Sequence, residues 1–585
     1  MTVLARLLSA SGTLALAIAA IGCGAKSDLY GDAPGTQRDA QPAPSPDAAV
    51  PDVAAEADAV IDTPQEDAPA PDADADADAQ VPLIAWGPCV EGFQGECATL
   101  QVPLDWSQPQ GQTIPLYVDR ITHNPGATAQ LWLLQGGPGG SGQDMVAIAT
   151  LVLEGDLPSF DIFTLDHRGV GMSARLGCAL EPTKPPVAIP GGLHADLLTT
   201  WQDCMQEVQS KWGEGLKQFN TTNAARDLAW AIDRTRTPGQ QTFVYGVSYG
   251  TYWAQRYLQL NPDQPAGVVL DSIVPMDGQF LSQFDLQPDK AASNLADLCK
   301  NDSFCASKLG SDPKSKLAAI WAKQQTTPCL PLAEANDVRE FAGGALQASF
   351  MSPAAFAAMY RLDRCSEQDK TALKTAIELF SSDPGDPGLF SSLLYFNVTF
   401  SELWETPAPA TSTLLERYQQ SLFVVGAYTM HDLDAAWPVY PWDGWVRKYA
   451  ESKVPMLMLN GTLDTQTPID TAQLVKPYYS AEHQTFVTIP YANHGTIIEG
   501  IQTGQEPCGA HLIIDFVKSP TSPLNTSCTQ QTVPPDFSDS SMAPMIFGTA
   551  DLWENTAGSN FVESAPLTEL QKRAIDRIRR RRPVW

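Results

Sequence analysis

A layered α/β fold with a mostly parallel sheet flanked by helices is what the 585-residue sequence predicts, and three observations carry it. Short runs such as Gln130–Gln135 (QLWLLQ), Asp161–Asp166 (DIFTLD), Val268–Asp271 (VVLD) and Val454–Asn460 (VPMLMLN) have apolar interiors. Strands buried on both faces of a parallel sheet read this way. Between such runs lie helical periods: in Thr222–Arg236, Ala225, Leu228, Ala229 and Ile232 share one face. Glycine-rich or titratable residues follow the run ends, where the crevice of an open α/β sheet lies.

Taken in order, the chain opens on residues 1–22, with Arg6 and a brief, alanine-rich apolar stretch too short for a membrane span. This reads as an export signal. It ends at Ala20-Ile21-Gly22-Cys23 and resembles a bacterial lipoprotein signal, in which Cys23 becomes the lipid-modified first residue, although Ala20 stands where Leu is usual. An ordinary signal peptide beside a stray cysteine is the alternative. Residues 23–81 alternate Pro, Ala and Asp and carry about 14 acidic residues against Lys26 and Arg38. Such a segment cannot bury enough apolar surface to offset its ordering entropy and is expected to be an extended, disordered tether. The net charge of −30 is therefore unevenly spread, and it argues against nucleic-acid binding through phosphates.

Setting Cys23 aside leaves ten cysteines, an even number that in an exported chain implies disulfides. None has metal-ligand spacing, so no metal is expected. Proximity along the chain suggests Cys89–Cys97, Cys178–Cys204, Cys299–Cys305, Cys329–Cys365 and Cys508–Cys528.

A first α/β portion is expected over 82–275, opening with alternating segments 98–104 and 114–121 as an antiparallel lead-in. The run Gly136-Gly137-Pro138-Gly139-Gly140-Ser141-Gly142 after a buried strand lacks the Lys-Ser/Thr ending of a phosphate loop and the spacing of a dinucleotide site. It fits a backbone loop whose N–H groups face an active site, and no cofactor is expected. Beyond the next strand, Asp166 and Arg168 read as an ion pair bracing that loop. Residues 276–450 break the α/β alternation with helical periods and Pro breaks, as expected of an inserted, mainly helical cap. The alternation resumes over 451–530. Residues 531–585 form an extension, Ser/Pro/Asp-rich to about 565 and expected on the surface, then a basic helix at Leu567–Arg582.

Phe243-Val244-Tyr245 runs into Gly246-Val247-Ser248-Tyr249-Gly250, a strand, a sharp turn and a helix with a serine at the tip. With Gly and Ser each at ~7% of residues, the pentapeptide arises by chance with a probability of roughly 0.2, so its partners decide the matter. Asp464 and His494 each sit just past the C-terminal end of a predicted strand, in the order Ser, Asp, His. That order and placement belong to the α/β-hydrolase sheet. Asp432 and Asp470 lack such a strand, His483 precedes its strand, and His167 reads as structural.

The set GGPGGSG, DHRGVG, GVSYG, GTLDTQTP and NHG resembles the α/β-hydrolases grouped with proline iminopeptidases and secreted bacterial tripeptidyl aminopeptidases, over residues 85–530. The resemblance implies Ser248 as nucleophile, His494 as base then acid, Asp464 as its orienting carboxylate, and the N–H groups of Tyr249 and Gly137 as the oxyanion hole. It implies peptide substrates, with an exported aminopeptidase as the leading reading and an esterase or a non-catalytic binding module as the alternatives. Acidic cap residues hold the substrate amine in such relatives. Glu402 is the candidate here, with a solvated cap glutamate as the other reading.

Overall fold

A computed structural model describes residues 84–89, 95–179, 181, 195–381, 388–500 and 507–556. The expected signal, Cys23, the tether and the basic C-terminal helix lie outside these residues. Nine strands form one sheet in the order β1-β2-β3-β5-β4-β6-β7-β8-β9. β1 (Gly87–Pro88), β2 (Glu96–Pro103) and β3 (Thr113–Thr122) form the antiparallel lead-in, and β3 pairs antiparallel with β5 (Phe160–Leu165). From β5 the pairing is parallel through β4 (Ala129–Leu134), β6 (Gln241–Val247), β7 (Gly267–Asp271), β8 (Met456–Gly461) and β9 (Gln484–Ile489).

The continuous apolar runs have the cause expected of them. In β4, Trp132 and Leu134 enter one core while Leu131 and Leu133 enter the other; in β8, Met456 and Met458 oppose Leu457 and Leu459. Both faces of the sheet are thus covered, and a polar residue in mid-strand would lie buried. The helix Thr221–Thr235 falls where its apolar face predicted it, with Asn220 as its cap accepting from Asn223 N–H.

Between β7 and β8 the described residues hold no strand of the sheet and are mainly helical, with helices that include Gln287–Asn301, Pro313–Thr326, Leu332–Ala345, Ser352–Arg364 and Ser392–Glu402. This insertion has a core of its own, and Phe537, Met542, Ile546, Phe547 and Trp553 complete it. The expectation that the segment after Cys528 lies on the surface is therefore corrected for those five residues. Buried Arg361 fixes the segment, donating to the carbonyls of Leu552, Asp551 and Glu554.

All five expected disulfides form: Cys89–Cys97, Cys178–Cys204, Cys299–Cys305, Cys329–Cys365 and Cys508–Cys528. No helix among the described residues is long and apolar enough to cross a membrane.

Candidate active site

Ser248 sits at the C-terminal end of β6, at φ 59° and ψ −130°, immediately before the helix Tyr249–Leu260. That conformation is strained for a residue with a side chain, and the surroundings enforce it. A Cβ on Gly246 would collide with the Gly250 carbonyl, and one on Gly250 with the Leu134 carbonyl. Both glycines of the pentapeptide are thus required by close backbone approach, which gives the turn the geometry of a nucleophile elbow.

Asp464 follows β8 and His494 follows β9. Asp464 Oδ1 and Oδ2 each lie 3.0 Å from His494 Nδ1, and both residues are buried. Asp464 also accepts from the N–H groups of Gln466 and Thr467 at 2.9 and 2.8 Å and from Thr467 Oγ1 at 2.8 Å. Burial pushes its pKa up, but the His494 ring and the Thr467 donors outweigh that and hold it below the ordinary value. The carboxylate stays charged, so Nδ1 carries the proton toward it and Nε2 is left to act as a base.

The Gly-rich loop follows β4 and lies against the serine: a Cβ on Gly136 would stand 2.7 Å from Ser248 Cβ. Asp166, at the end of β5, holds this loop by accepting from Ser141 Oγ at 2.5 Å and from Gly142 N–H at 2.9 Å, while Met172 N–H reaches its other oxygen. Burial raises Asp166 to about 6 against those donors. The expected ion pair with Arg168 is corrected, because Asp166 takes these donors instead. Arg168 donates through Nε and Nη2 to Asp227, at 2.7 and 2.6 Å.

His167 is buried; its Nδ1 lies 2.6 Å from the Arg168 carbonyl and its Nε2 3.3 Å from the Tyr249 hydroxyl. Burial drives its pKa down to about 3, so it is neutral at ordinary pH. Asp432 contacts His431, Asp470 contacts Lys290, and His483 contacts Glu482.

Glu402 is neither solvated nor open. It is 3% exposed, and Oε2 accepts from Arg256 Nη2 and the Tyr252 hydroxyl, both at 2.9 Å. Oε1 accepts from the Tyr440 hydroxyl at 2.7 Å and Thr221 N–H at 3.4 Å. A substrate ammonium at Glu402 would have to displace a buried guanidinium, so both earlier readings of this residue give way to an internal ion pair.

Asp271, which ends β7, and Ser272 after it belong to the site although the sequence reading passes over them. Ser248 N–H donates to the Asp271 carbonyl at 3.0 Å, and the Asp271 carboxylate accepts from Thr496 N–H and Oγ1 and from Ile497 N–H. Ser272 Oγ accepts from Gly495 N–H at 2.8 Å. One strand end thereby braces both the elbow and the His494 loop. A lone carboxylate closing an apolar run was the available signal.

Six strand ends at one edge of a mostly parallel sheet thus carry a glycine loop, a serine elbow, an Asp–His pair and their braces. A family model described as the alpha/beta hydrolase fold matches residues 131–359, which take in most of β4, all of β5 to β7 and the elbow. The chain has the α/β-hydrolase fold. A second model, described as TAP-like protein, matches residues 421–528, which hold Asp464, His494 and the last disulfide. The chain is 34% identical over 210 residues to a tripeptidyl aminopeptidase of Streptomyces lividans, a match covering 34% of the chain and 38% of the relative. It is 31% identical over 167 residues to carboxylesterase B of Mycobacterium tuberculosis, covering 25% of the chain and 32% of the relative. It is 27% identical over 235 residues to serine protease Hip1 of the same species, covering 37% and 43%. Each match spans less than half of the relative's length.

Proposed function

We propose that the chain is an exported serine hydrolase, an aminopeptidase that releases short N-terminal units from peptides through an acyl-enzyme. The observation that carries the reading is the strained Ser248 elbow lying at the same sheet edge as the Asp464–His494 pair. The likeness to a tripeptidyl aminopeptidase and to a serine protease supports a peptide rather than another acyl substrate. The five disulfides support an oxidising, extracytoplasmic location. Acylation of Cys23 is part of the same reading, and mass spectrometry of the mature N-terminus tests it.

In the mechanism, Ser248 Oγ attacks the scissile carbonyl carbon as His494 Nε2 removes its proton. The developing oxyanion is met by the N–H groups of Tyr249 and Gly137, each contributing about 3 kcal/mol of transition-state stabilisation. Asp464 stabilises the imidazolium, which then gives its proton to the leaving amine. Water, activated by His494 in turn, releases the acyl group.

An ester hydrolase is the second reading, favoured by the likeness to carboxylesterase B and by the engagement of Glu402 with Arg256. A panel of free and N-acetylated tripeptidyl amides beside short-chain esters separates the two. Faster turnover of the free-amine amides, abolished in Ser248→Ala, is expected. Indifference to N-acetylation would leave the esterase reading, and turnover surviving Ser248→Ala would remove both.

A further inference from the structure

We propose that the helix Ser392–Glu402 is a strut that sets the separation of the two backbone donors of the oxyanion hole, with Glu402 the positioning residue at one end. The proposal rests on the reading of Ser248 as nucleophile and of the Tyr249 and Gly137 N–H groups as donors.

One end of the helix is joined to the Gly-rich loop. Ser391 caps the helix by accepting from Leu394 N–H at 3.1 Å, and its own N–H donates to the Gly139 carbonyl at 2.9 Å. Ser141 N–H donates to the Leu389 carbonyl at 2.9 Å, and Gly140 pairs antiparallel with Phe390. Residues 139–141 are therefore held edge to edge against 389–391, with Gly137 two positions upstream. Ser391 Oγ also donates to the Leu176 carbonyl at 2.7 Å, fixing the junction against the segment after β5.

The other end is joined to the elbow helix. Tyr252 and Arg256, which donate to Glu402, lie three and seven residues beyond Tyr249 on the helix that Ser248 initiates. Thr221, whose N–H reaches Glu402, also contacts the Tyr249 hydroxyl through Oγ1 at 2.9 Å. Tyr249 is thus held from its own helix and from its ring, and both routes converge on one carboxylate.

Every residue of the strut is buried, and a helix of 11 residues is a rod of roughly 16 Å. Oxyanion donors act only within about 0.4 Å of their best distance, and a displacement near 1 Å costs on the order of 10²-fold in rate. A single rod tied to both donor-bearing segments fixes their spacing more tightly than either segment could alone. The charge at its end is essential, since Arg256 is fully buried and finds its carboxylate in Glu402.

The test is Glu402→Gln, which keeps the side-chain length and removes the charge. Steady-state kinetics on a free-amine tripeptidyl amide and a short acyl ester are normalised to active sites titrated with a fluorophosphonate. Affinity for a small alkylboronic acid, which forms a tetrahedral adduct on serine, is measured beside that for a product acid. We expect kcat per titrated site to fall by about tenfold or more on both substrates, with KM within about twofold. Boronate affinity should fall in parallel and product affinity hold. An unchanged kcat per site with only a lower melting temperature makes the pair an ordinary structural contact and overturns the proposal. A KM increase confined to free-amine substrates overturns it in favour of an amine anchor. Should Glu402→Gln fail to fold, Tyr440→Phe and Ser391→Ala each remove one hydroxyl from opposite ends. The same parallel loss is expected in both, and full kcat in both overturns the proposal. A wild-type protein that the fluorophosphonate does not label refutes the hydrolase reading instead.

Discussion

Replacing Asp271 by Asn tests whether one carboxylate braces the His494 loop. Oδ1 takes Thr496 N–H at 2.8 Å and Thr496 Oγ1 at 2.7 Å, while Oδ2 takes Ile497 N–H at 3.0 Å and the Tyr245 hydroxyl at 2.8 Å. Oδ1 also takes Ser272 Oγ at 3.4 Å. Either orientation of the amide turns an NH₂ toward one backbone N–H, which loses its acceptor, and toward hydroxyls that can turn to accept. At least one bond to a charged group is lost, at about 1.5–3 kcal/mol. Burial raises the Asp271 pKa and so already opposes its charge, which offsets part of that loss and leaves about 1–2 kcal/mol. Thr496 and Ile497 follow His494 by two and three residues, and a loop shift near 1 Å costs up to about 10²-fold in kcat. Urea unfolding at pH 7 and kcat/KM on the same preparation read both quantities. A stability loss under about 0.5 kcal/mol together with kcat/KM within about twofold of wild type would falsify the brace.

Three further outcomes are expected. Asp464→Asn should fold normally and lose about 10⁴-fold in kcat, because the amide no longer fixes the His494 tautomer; a loss below about tenfold counts against the Asp–His assignment. Gly250→Ala places a methyl against the Leu134 carbonyl and should cost about 1–3 kcal/mol of stability by thermal melting, with unchanged stability arguing against the close approach. Glu499 is buried beside Ser349, Asn493 and Asp464, and burial lifts its pKa to about 7 from an ordinary 4.5. Its folded pKa lies above its unfolded one, so stability is full below about pH 4.5 and is lost as pH rises through about 7. Glu499→Gln should therefore gain about 3 kcal/mol relative to wild type between pH 5 and pH 8, and parallel stability profiles for the two proteins would contradict this.

The sheet was legible because burial on both faces leaves a mainly apolar signature, seen in β4, β5, β7 and β8. The Ser and Asp positions were legible because each sits just past such a run, and the His position because it follows a shorter alternating strand, β9. What escaped were the buried ion pairs and the core contacts between distant parts of the chain. Arg168 was expected to meet Asp166, its near neighbour, yet backbone N–H groups fill Asp166 and the guanidinium finds Asp227 instead, 59 residues away. Glu402 and Arg256 lie 146 residues apart, and no periodicity links them. Phe537 to Trp553 read as a polar segment with scattered aromatics because its apolar residues complete a core that other helices supply.

The Arg361 contact with the Leu552 carbonyl closes a loop of 191 residues, so the insertion cannot finish its core until nearly the whole chain has been made. At about 5–20 residues per second of synthesis, that leaves a wait of roughly 10–40 s between the appearance of Arg361 and of its last partners. During that interval the unfinished apolar surface is available for aggregation.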